Sequence, residues 1–280
     1  MHTWHWHTWQ DLPYLTCSLL APFPHGFFTQ SFGSMSLAEI GHVLSPTADI
    51  YRVRQVHGGT VLTPTEIVIQ QSSPPDADSV DSSPLPEADG ILTDRIDQAV
   101  WVATADCVPA LVADVATGQV AAVHAGWRGT AAQILPQAIA RFQSQGSHLQ
   151  NLRIALGPAI AGTVYQVSTT VAAEVGKTVV PITAPIGNSA CPTIDDDPTT
   201  VLEQLEQLPT SPLLDDPMPN RARIDIRLVN QLQLESLGIC ADHVATAPHC
   251  TYQDAEHFFS YRRDRLKKIQ WSGIVSTTQR

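Results

Sequence analysis

The sequence predicts a single α+β domain. Apolar runs of strand length follow one another within residues 99–125, and amphipathic helical patterns lie at 129–146 and 225–238. The sequence shows no internal repeat, and no linker separates two hydrophobic cores. A chain of 280 residues with 43% hydrophobic content can bury a substantial core. We therefore expect residues 1–280 to form one domain.

Three apolar runs predict the strands. "AVWVATA" (99–105) indicates a buried strand. "PALVADV" (109–115) and "QVAAVHA" (119–125) flank the turn signal "ATGQ" and indicate a hairpin or a close strand pair. Because both runs are continuously apolar rather than alternating, we expect the sheet to be covered on both faces.

Two helices are predicted from apolar spacing. The first pattern ends at Gly146, and Pro136 requires either a helix start nearby or a kink. The second is "DIRLVNQLQLESLG", with Asp225 as its N-cap and Gly238 as its stop. The apolar face of the first helix consists of Ile134, Leu135, Ala138, Ile139 and Phe142.

Two segments are predicted to be flexible insertions. Residues 70–87 are rich in Ser, Pro and Asp. Residues 181–221 carry many prolines and an acidic run, so that only "TTVLEQLEQL" (199–208) can form a short helix there. We assign no catalytic residue to residues 181–221.

Charge and composition favour small-molecule partners in the cytoplasm. The formal net charge of -11 argues against nucleic acid and anionic membranes as partners. The longest apolar run, 99–113, contains Asp106 and Pro109 and is shorter than the ~20 residues that span a bilayer. The N-terminus lacks the regions of a signal peptide. Five scattered cysteines without a C-x-x-C pair suit free thiols or a metal ligand in a reducing compartment.

Three residues are candidate metal ligands. His57, Cys107 and His124 each stand where a predicted strand gives way to a tight turn, a place at which sheets present functional groups. They are 50 and 17 residues apart, so the fold itself must assemble the site. Two imidazoles and one thiolate leave the fourth position of a zinc ion open to water or substrate. Taken singly, each residue is equally compatible with a structural role in the core.

Three neighbouring residues are weaker candidates for the same site. Gln55 lies two residues before His57 and shares its face if the strand is regular. Asp106 either orients a ligand, acts as a base or is structural. Trp127 either stacks on a base or covers the turn. More distant candidates have simpler alternatives: Arg262 and Arg263 suit a solvated surface pair, and Cys250 suits a core thiol.

The motifs together resemble the YfiH-like, or laccase-domain, family of purine nucleoside phosphorylases, long labelled multicopper polyphenol oxidoreductases. The resemblance is carried in order by "HGFFTQSFGSMS", "QVHGGTV", "ADGILTD", "TADCVPALVAD", "AAVHAGWRGTA", "LGPAIAGTVYQVS", "DIRLVNQLQLESLGI" and "CTYQDAEHFFSYRRD", which span residues 25–264. It implies that His57, Cys107 and His124 bind a single zinc ion.

The resemblance also implies a fold and an activity. The fold would consist of layered mixed β-sheets flanked by helices, as in the deamidase domain of cytotoxic necrotizing factor toxins. The activity would be phosphorolysis of adenosine, inosine, guanosine and methylthioadenosine, with adenosine deamination. Bacterial members are also linked to peptidoglycan editing. Arg128 would then supply a planar positive charge for phosphate, and Gly157 would lie near the pocket.

The chain departs from the family pattern at two places. Gln30 stands where many members have an arginine, and Phe32 stands where they have a glycine. "RLKKIQW" (265–271) stands where a Gly-Arg pair is common. If these arginines contact phosphate in relatives, we expect phosphate to be bound more weakly here or by other residues.

Three alternatives to a zinc phosphorylase stay open at the level of sequence. A copper-dependent polyphenol oxidase is suggested by the older family label, although "HWH" (5–7) is a single copy that suits an edge strand. A metal-free hydrolase would use Cys107 with His124, for instance on a peptidoglycan precursor. A zinc-stabilised binding module would have no activity. The chain is expected to be a monomer or a homodimer.

Overall fold

The fold is described by a computed structural model over residues 2–72, 85–180 and 197–278. This part of the chain contains fifteen strands and eight α-helices. The strands are β1 (Trp4–Trp9), β2 (Leu12–Cys17), β3 (His25–Phe28), β4 (Asp49–Tyr51), β5 (Val61–Leu62), β6 (Gly90–Leu92), β7 (Gln98–Thr104), β8 (Val108–Asp114), β9 (Val120–Ala125), β10 (Leu152–Leu156), β11 (Gln166–Ser168), β12 (Leu213–Leu214), β13 (Arg221–Ile224), β14 (Val244–Thr246) and β15 (Gln270–Val275).

The helices lie between and after these strands. They are α1 (Leu37–Leu44), α2 (Pro64–Ser72), α3 (Trp127–Ala131), α4 (Ile134–Ser144), α5 (Thr169–Gly176), α6 (Pro198–Glu206), α7 (Ile226–Ser236) and α8 (Tyr261–Asp264). None of the helices described here is both long and apolar enough to cross a lipid bilayer.

The strands form three sheets. The first has the order β1-β2-β3-β15-β7-β4, and the second has the order β14-β10-β8-β9-β6-β5. Both are mixed, because β4 runs parallel to β7 and β14 runs parallel to β10 among otherwise mostly antiparallel neighbours. A third, small antiparallel sheet has the order β11-β13-β12.

The two large sheets pack face to face between helical layers. On β7, Val100 and Val102 belong to the core between the sheets, whereas Trp101 belongs to the core under α1. On β8, Leu111 faces the core between the sheets and Val112 faces the helices α4 and α7. Successive residues of a strand point to opposite faces, so both faces of these strands are buried. The predicted fold class, layered mixed sheets flanked by helices, is confirmed.

Most of the predicted elements are present. The turn at 115–119 joins β8 and β9 into the predicted antiparallel hairpin. Asp225 caps α7 by accepting hydrogen bonds from the N–H groups of Arg227 and Leu228. Gly238 follows α7 with a φ of 87°, a conformation that glycine adopts without strain. Pro136 lies in the first turn of α4, where its missing N–H is tolerated.

One of the two alternatives for the 129–146 pattern is confirmed: α4 begins near Pro136, at Ile134, and Gln133, with a left-handed φ of 55°, separates it from α3. The strand that was expected to lead into His57 was a wrong prediction: β4 ends at Tyr51, β5 begins at Val61, and an irregular loop joins them. His57 therefore lies within a loop and not at the end of a strand.

The 181–221 segment is structured where it is described. Residues 73–84 and 181–196, which include much of both predicted insertions, lie outside the described residues. The short helix expected at 199–208 is present as α6. Its fully buried Leu205 packs so closely on Gly176 of α5 that a Cβ atom there would overlap the leucine side chain.

Removing the Leu205 side chain is expected to destabilise the whole domain. Leu205→Ala leaves a cavity against α5, and we expect the free energy of unfolding to fall by about 2–5 kcal/mol in urea denaturation. Gln207→Ala, at the exposed residue that follows α6, is the control and should change the free energy of unfolding by less than about 0.5 kcal/mol. Equal stability of both variants would mean that α6 does not contribute to the core.

Candidate metal centre

The hairpin β8-β9 supplies two of the three candidate ligands. His124 is the penultimate residue of β9, and Cys107 immediately precedes β8. The two strands pair with Val108 opposite Ala125, which brings the thiol and the imidazole to the same end of the hairpin. One antiparallel strand pair therefore brings together Cys107 and His124, which are 17 residues apart in the sequence.

The third ligand is placed by a loop with an unusual backbone. His57 has a φ of 62°, a left-handed conformation that is uncommon for residues other than glycine. The buried carboxylate of Asp89 accepts hydrogen bonds from the N–H groups of Val56 (3.1 Å), His57 (2.8 Å) and Gly58 (2.7 Å). These bonds stabilise the loop conformation that carries His57.

Asp89 also orients His124. Its Oδ1 lies 2.8 Å from His124 Nδ1, and its backbone carbonyl accepts from the His124 N–H at 2.7 Å. An ionised carboxylate only accepts hydrogen bonds, so Nδ1 must carry a proton, and Nε2 is the nitrogen that would bind a metal ion after losing its own proton. This is the arrangement by which carboxylates fix metal-binding histidines.

The three side chains meet at one point. One ligand atom from each of His57, Cys107 and His124 lies within 4.8 Å of the other two. The imidazole rings are 4.8 Å apart and nearly perpendicular. Ligands of a tetrahedral zinc ion are roughly 3.5 Å apart, given bonds of ~2.0–2.3 Å, so small side-chain adjustments suffice to bind an ion.

A glycine makes room for this cluster. A Cβ atom on Gly126 would lie 2.9 Å from Cys107 Sγ and 3.3 Å from His57 Cδ2. Any side chain at this position would displace two of the ligands. The glycine of "HAGWRG" is therefore required by close approach, and not by its backbone angle.

The charges of the cluster reinforce one another. Burial alone would raise the pKa of Cys107, but the charge of His124 and hydrogen bonds from both histidines lower it to about 6. Burial alone would lower the pKa of His124, but the Cys107 thiolate and the Asp89 carboxylate raise it to about 9. The pKa of Asp89 is lowered: burial opposes this, and hydrogen bonds from His124 and the 57–58 backbone cause it. The site is thus built to hold a thiolate.

The cluster lines a cleft of about 710 Å³, a volume typical of sites for small molecules. His57, Cys107 and His124 line it together with Tyr165. The C-terminal segment also contributes to the lining, through Tyr261, Arg262, Leu266, Lys267, Lys268, Ile269 and Trp271. Burial and the nearby Cys107 raise the pKa of Tyr165 to about 12, which keeps its phenol protonated at neutral pH.

Gln55 and Asp106 line the cleft, and both have structural partners. The amide of Gln55 donates to the Ala103 carbonyl (2.8 Å) and accepts from its N–H (2.7 Å), as a paired strand would. The carboxylate of Asp106 accepts from the Thr251 hydroxyl and from the Arg262 N–H, both at 2.7 Å. Gln55 attaches the His57 loop to β7, and Asp106 attaches the C-terminal segment beside Cys107.

The other predicted site residues do not line the cleft. Arg128 and Trp127 begin α3 after His124, and the guanidinium lies 4.3 Å from the indole centroid. Gly157 is in the core, where a Cβ atom would overlap the Phe27 ring. Gln30, which replaces the family arginine, donates to the carbonyls of Ala255 and Glu256.

Sequence reasoning missed Asp89 and Tyr165 and gave too little weight to Arg262. Asp89 was visible as the acidic residue of "ADGILTD", but nothing in the sequence indicates that it contacts His124. Cys250 is buried, as expected for a core thiol, and accepts a hydrogen bond from the Ala161 N–H. The "HWH" stretch forms the edge strand β1, where His5 and His7 bond to threonine hydroxyls.

The fold and the cluster define an α+β protein with a candidate His-Cys-His metal centre. Residues 36–274 match the family described as multi-copper polyphenol oxidoreductase laccase, and the chain therefore belongs to this family. The YfiH-like resemblance is confirmed.

Similar proteins carry the names of nucleoside enzymes. A purine nucleoside phosphorylase from Synechocystis sp. is 47% identical over 276 residues, which cover 98% of this chain and 97% of the relative. The adenosine deaminase RL5 from an unknown prokaryotic organism is 26% identical over 215 residues, 77% of this chain and 70% of the relative. The crystal structure of YlmD from Geobacillus stearothermophilus has the same fold, with a TM-score of 0.75 and 22% identity over 97% of this chain and 98% of that one.

Asp89→Asn is expected to weaken metal binding. The amide cannot supply both the charge and the four acceptor interactions of the carboxylate, so His124 and the His57 loop lose their orientation. We expect affinity for Zn²⁺ to fall by about 10- to 100-fold in a competition titration with a chelator. Asp97→Asn changes an exposed aspartate outside the cluster and is the control. This variant should bind Zn²⁺ as tightly as the unmodified protein does. Unchanged affinity in Asp89→Asn would contradict the role assigned to this carboxylate.

The Cys107 thiol is expected to ionise at low pH in protein stripped of metal. In a Cys191→Ser, Cys240→Ser background, alkylation of Cys107 by iodoacetamide should rise with pH through about 6, because the thiolate is the reacting form. Alkylation of a thiol with an unperturbed pKa would rise near pH ~8.5. Adding His124→Ala removes the stabilising charge and should move the midpoint upward. A midpoint above pH 8 with His124 intact would be the contrary result.

Proposed function

We propose that this protein is a zinc-dependent purine nucleoside phosphorylase. It would convert adenosine, inosine, guanosine and methylthioadenosine, with phosphate, to the free base and the sugar 1-phosphate. The observation that carries the proposal is the His57–Cys107–His124 cluster in the lining of a cleft of about 710 Å³. It is supported by the 47% identical relative that is named a purine nucleoside phosphorylase.

The donor set supports zinc as the metal. Two imidazole nitrogens and one thiolate sulfur are ligands that zinc prefers, and three protein ligands are usual in catalytic zinc sites. Copper is a weaker proposal, since the described residues contain no second cluster of candidate ligands from which a multicopper centre can be built. A zinc ion bound here would supply a Lewis acid that polarises an oxygen atom.

The proposed reaction exchanges one bond for another. A phosphate oxygen forms a bond to C1′ of the sugar, and the bond between C1′ and the purine nitrogen breaks. The electron pair of that bond leaves with the base, which then takes up a proton. The products are the free purine and the sugar 1-phosphate, and no oxidant is required.

The cleft offers groups suited to this reaction. The protonated phenol of Tyr165 can donate a hydrogen bond to substrate beside the cluster. The aromatic and aliphatic side chains of Tyr261, Leu266, Ile269 and Trp271 form an apolar wall on which a purine can stack. Arg128 does not line the cleft, but it lies in α3, four residues after His124. We therefore keep it in the proposal as a nearby source of positive charge.

Adenosine deamination belongs to the proposal as a second activity. In this reaction, water adds to C6 of the purine, ammonia leaves and inosine remains. The support is a 26% identical relative named an adenosine deaminase. We place the protein in the cytoplasm, where free thiols stay reduced.

A metal-free cysteine hydrolase is the second candidate. The observation that favours it is the alignment of Cys107, His124 and Asp89, in which the carboxylate holds the imidazole at 2.8 Å. A thiolate, a base and an orienting acid in this order constitute the arrangement of cysteine hydrolases. The two candidates differ in their need for metal.

We expect purified protein to release adenine and ribose 1-phosphate from adenosine only when phosphate is present. Cys107→Ala should reduce the rate at least 100-fold, because it removes one ligand and the charge that organises the other two. Chromatographic separation of products, with and without phosphate, measures this. Inosine formed in the absence of phosphate would report deamination.

The controls separate the two candidates. Cys240→Ala removes an exposed cysteine outside the cleft and should leave the rate unchanged. Removal of metal by a chelator should abolish turnover, and Zn²⁺ should restore it. Turnover that survives complete metal removal would favour the cysteine hydrolase, and full activity in Cys107→Ala would refute both.

A further inference from the structure

The cleft beside the candidate metal centre is basic, although the protein is acidic. The chain has 16 lysines and arginines against 27 aspartates and glutamates. Asp106 is the one acidic residue among the described residues that line the cleft, and its two carboxylate oxygens already accept hydrogen bonds from Thr251 and Arg262. Five of the sixteen basic residues line this cleft: Arg52, Arg54, Arg262, Lys267 and Lys268.

Four of these five cations have no carboxylate partner within the described chain. Arg54 forms an ion pair with Glu87 at 2.8 Å. We call the other four, Arg52, Arg262, Lys267 and Lys268, the cationic rim. Outside the cleft, five described arginines form ion pairs: Arg95, Arg141, Arg223, Arg227 and Arg263. Four others in the described part of the chain, Arg128, Arg153, Arg221 and Arg265, do not, so the cleft is distinguished by the number of such cations that line a single cavity.

Cations that line one cleft without carboxylate partners favour the binding of an anion there. Charges of one sign in a cleft with low-dielectric walls focus the electric field and raise the local concentration of ions of the opposite sign. In a protein with a net charge of -11, this local field does not follow from composition.

Three contacts hold Arg262 in place within the cationic rim. Its Nη1 donates to the Gln166 carbonyl at 2.9 Å, and its guanidinium lies 4.9 Å from the Tyr165 ring centroid. Its backbone N–H donates to Asp106, the residue before Cys107. Among the described residues, only one of its five side-chain N–H groups has a hydrogen-bond acceptor, so the rest of the fork can receive a ligand.

The two lysines complete the rim on the same wall. Lys267 and Lys268 follow α8 in the C-terminal segment that lines the cleft. Lys268 Nζ lies 5.4 Å from the Phe259 ring centroid, a cation–π contact that restricts the side chain. An ammonium group is a compact charge that suits phosphate, and a guanidinium adds paired donors.

We propose that the cationic rim is a subsite for a phosphoryl group next to the metal centre. This inference rests on the proposed function and extends it by naming the residues that bind the anionic substrate. A phosphoryl group of this kind has two sources, inorganic phosphate and the 5′-phosphate of a purine nucleotide. The first would supply the nucleophile, and the second would make nucleotides substrates or competitors.

The test compares variants of the rim in the metal-loaded protein. Lys267→Ala combined with Lys268→Ala should raise KM for phosphate at least tenfold in adenosine phosphorolysis, and Arg262→Gln should do so on its own. KM for adenosine at saturating phosphate should change less than about threefold, because the lysines interact with the anion and not with the base. Bound zinc should stay the same, which shows that the variants fold.

The matched control removes two positive charges elsewhere. Arg95→Ala with Arg221→Ala alters exposed arginines outside the cleft and changes the net charge by the same amount. We expect KM for phosphate in this variant to stay within twofold of the original value. An increase equal to that of the lysine variant would show a general effect of net charge and would overturn the subsite.

Direct binding distinguishes this inference from the proposed function. Titration of phosphate into the zinc-loaded protein, followed by calorimetry, should show saturable binding that is lost in the lysine variant, whether or not any nucleoside turns over. A parallel titration with adenosine 5′-monophosphate identifies the source of the phosphoryl group. If the nucleotide binds more tightly than adenosine, and this difference disappears in the lysine variant, the rim binds the 5′-phosphate. Binding of both anions that is unaltered by the rim variants would refute the subsite.

Discussion

The buried carboxylate of Asp89 connects the two histidines of the candidate metal centre. A charge excluded from water must be compensated by hydrogen bonds, and this one accepts from His124 Nδ1 and from three consecutive N–H groups, Val56 to Gly58. The same four bonds fix the tautomer of one histidine and stabilise the left-handed backbone of the other. Because Asp89 directly precedes β6, which pairs with β9, the sheet holds this acceptor in register with His124.

The position of the centre follows from the way the chain passes between the two large sheets. β7 belongs to the first sheet and β8 to the second, so the turn that carries Asp106 and Cys107 crosses the space between them. Asp106 adopts a φ of 89° in this turn and accepts hydrogen bonds from the C-terminal segment. Cys107 and the residue that holds the C-terminal segment, Asp106, are therefore adjacent in the same turn.

Two electrostatic environments lie side by side in the cleft. The cluster of His57, Cys107 and His124 stabilises a thiolate, as the lowered pKa of Cys107 indicates. The cationic rim has charges without partners and provides a field for an anion. In the proposed phosphorolysis, an anion held by the cationic rim and a nucleoside beside the metal centre would meet in one orientation, which transfer of a sugar to phosphate requires.

The sequence by itself determined the periodic elements and the candidate ligands. Apolar runs and capping residues such as Asp225 and Gly238 act over a few positions, so β7, the β8-β9 hairpin and α7 could be predicted from local pattern. The ligand types His57, Cys107 and His124 followed from glycine turns and from family motifs. Only the tertiary structure decided the partner of His124, the loop that carries His57 and the gathering of Arg52, Arg262, Lys267 and Lys268 in one cleft. These depend on strand order and on contacts between residues far apart in the chain, which no local pattern specifies.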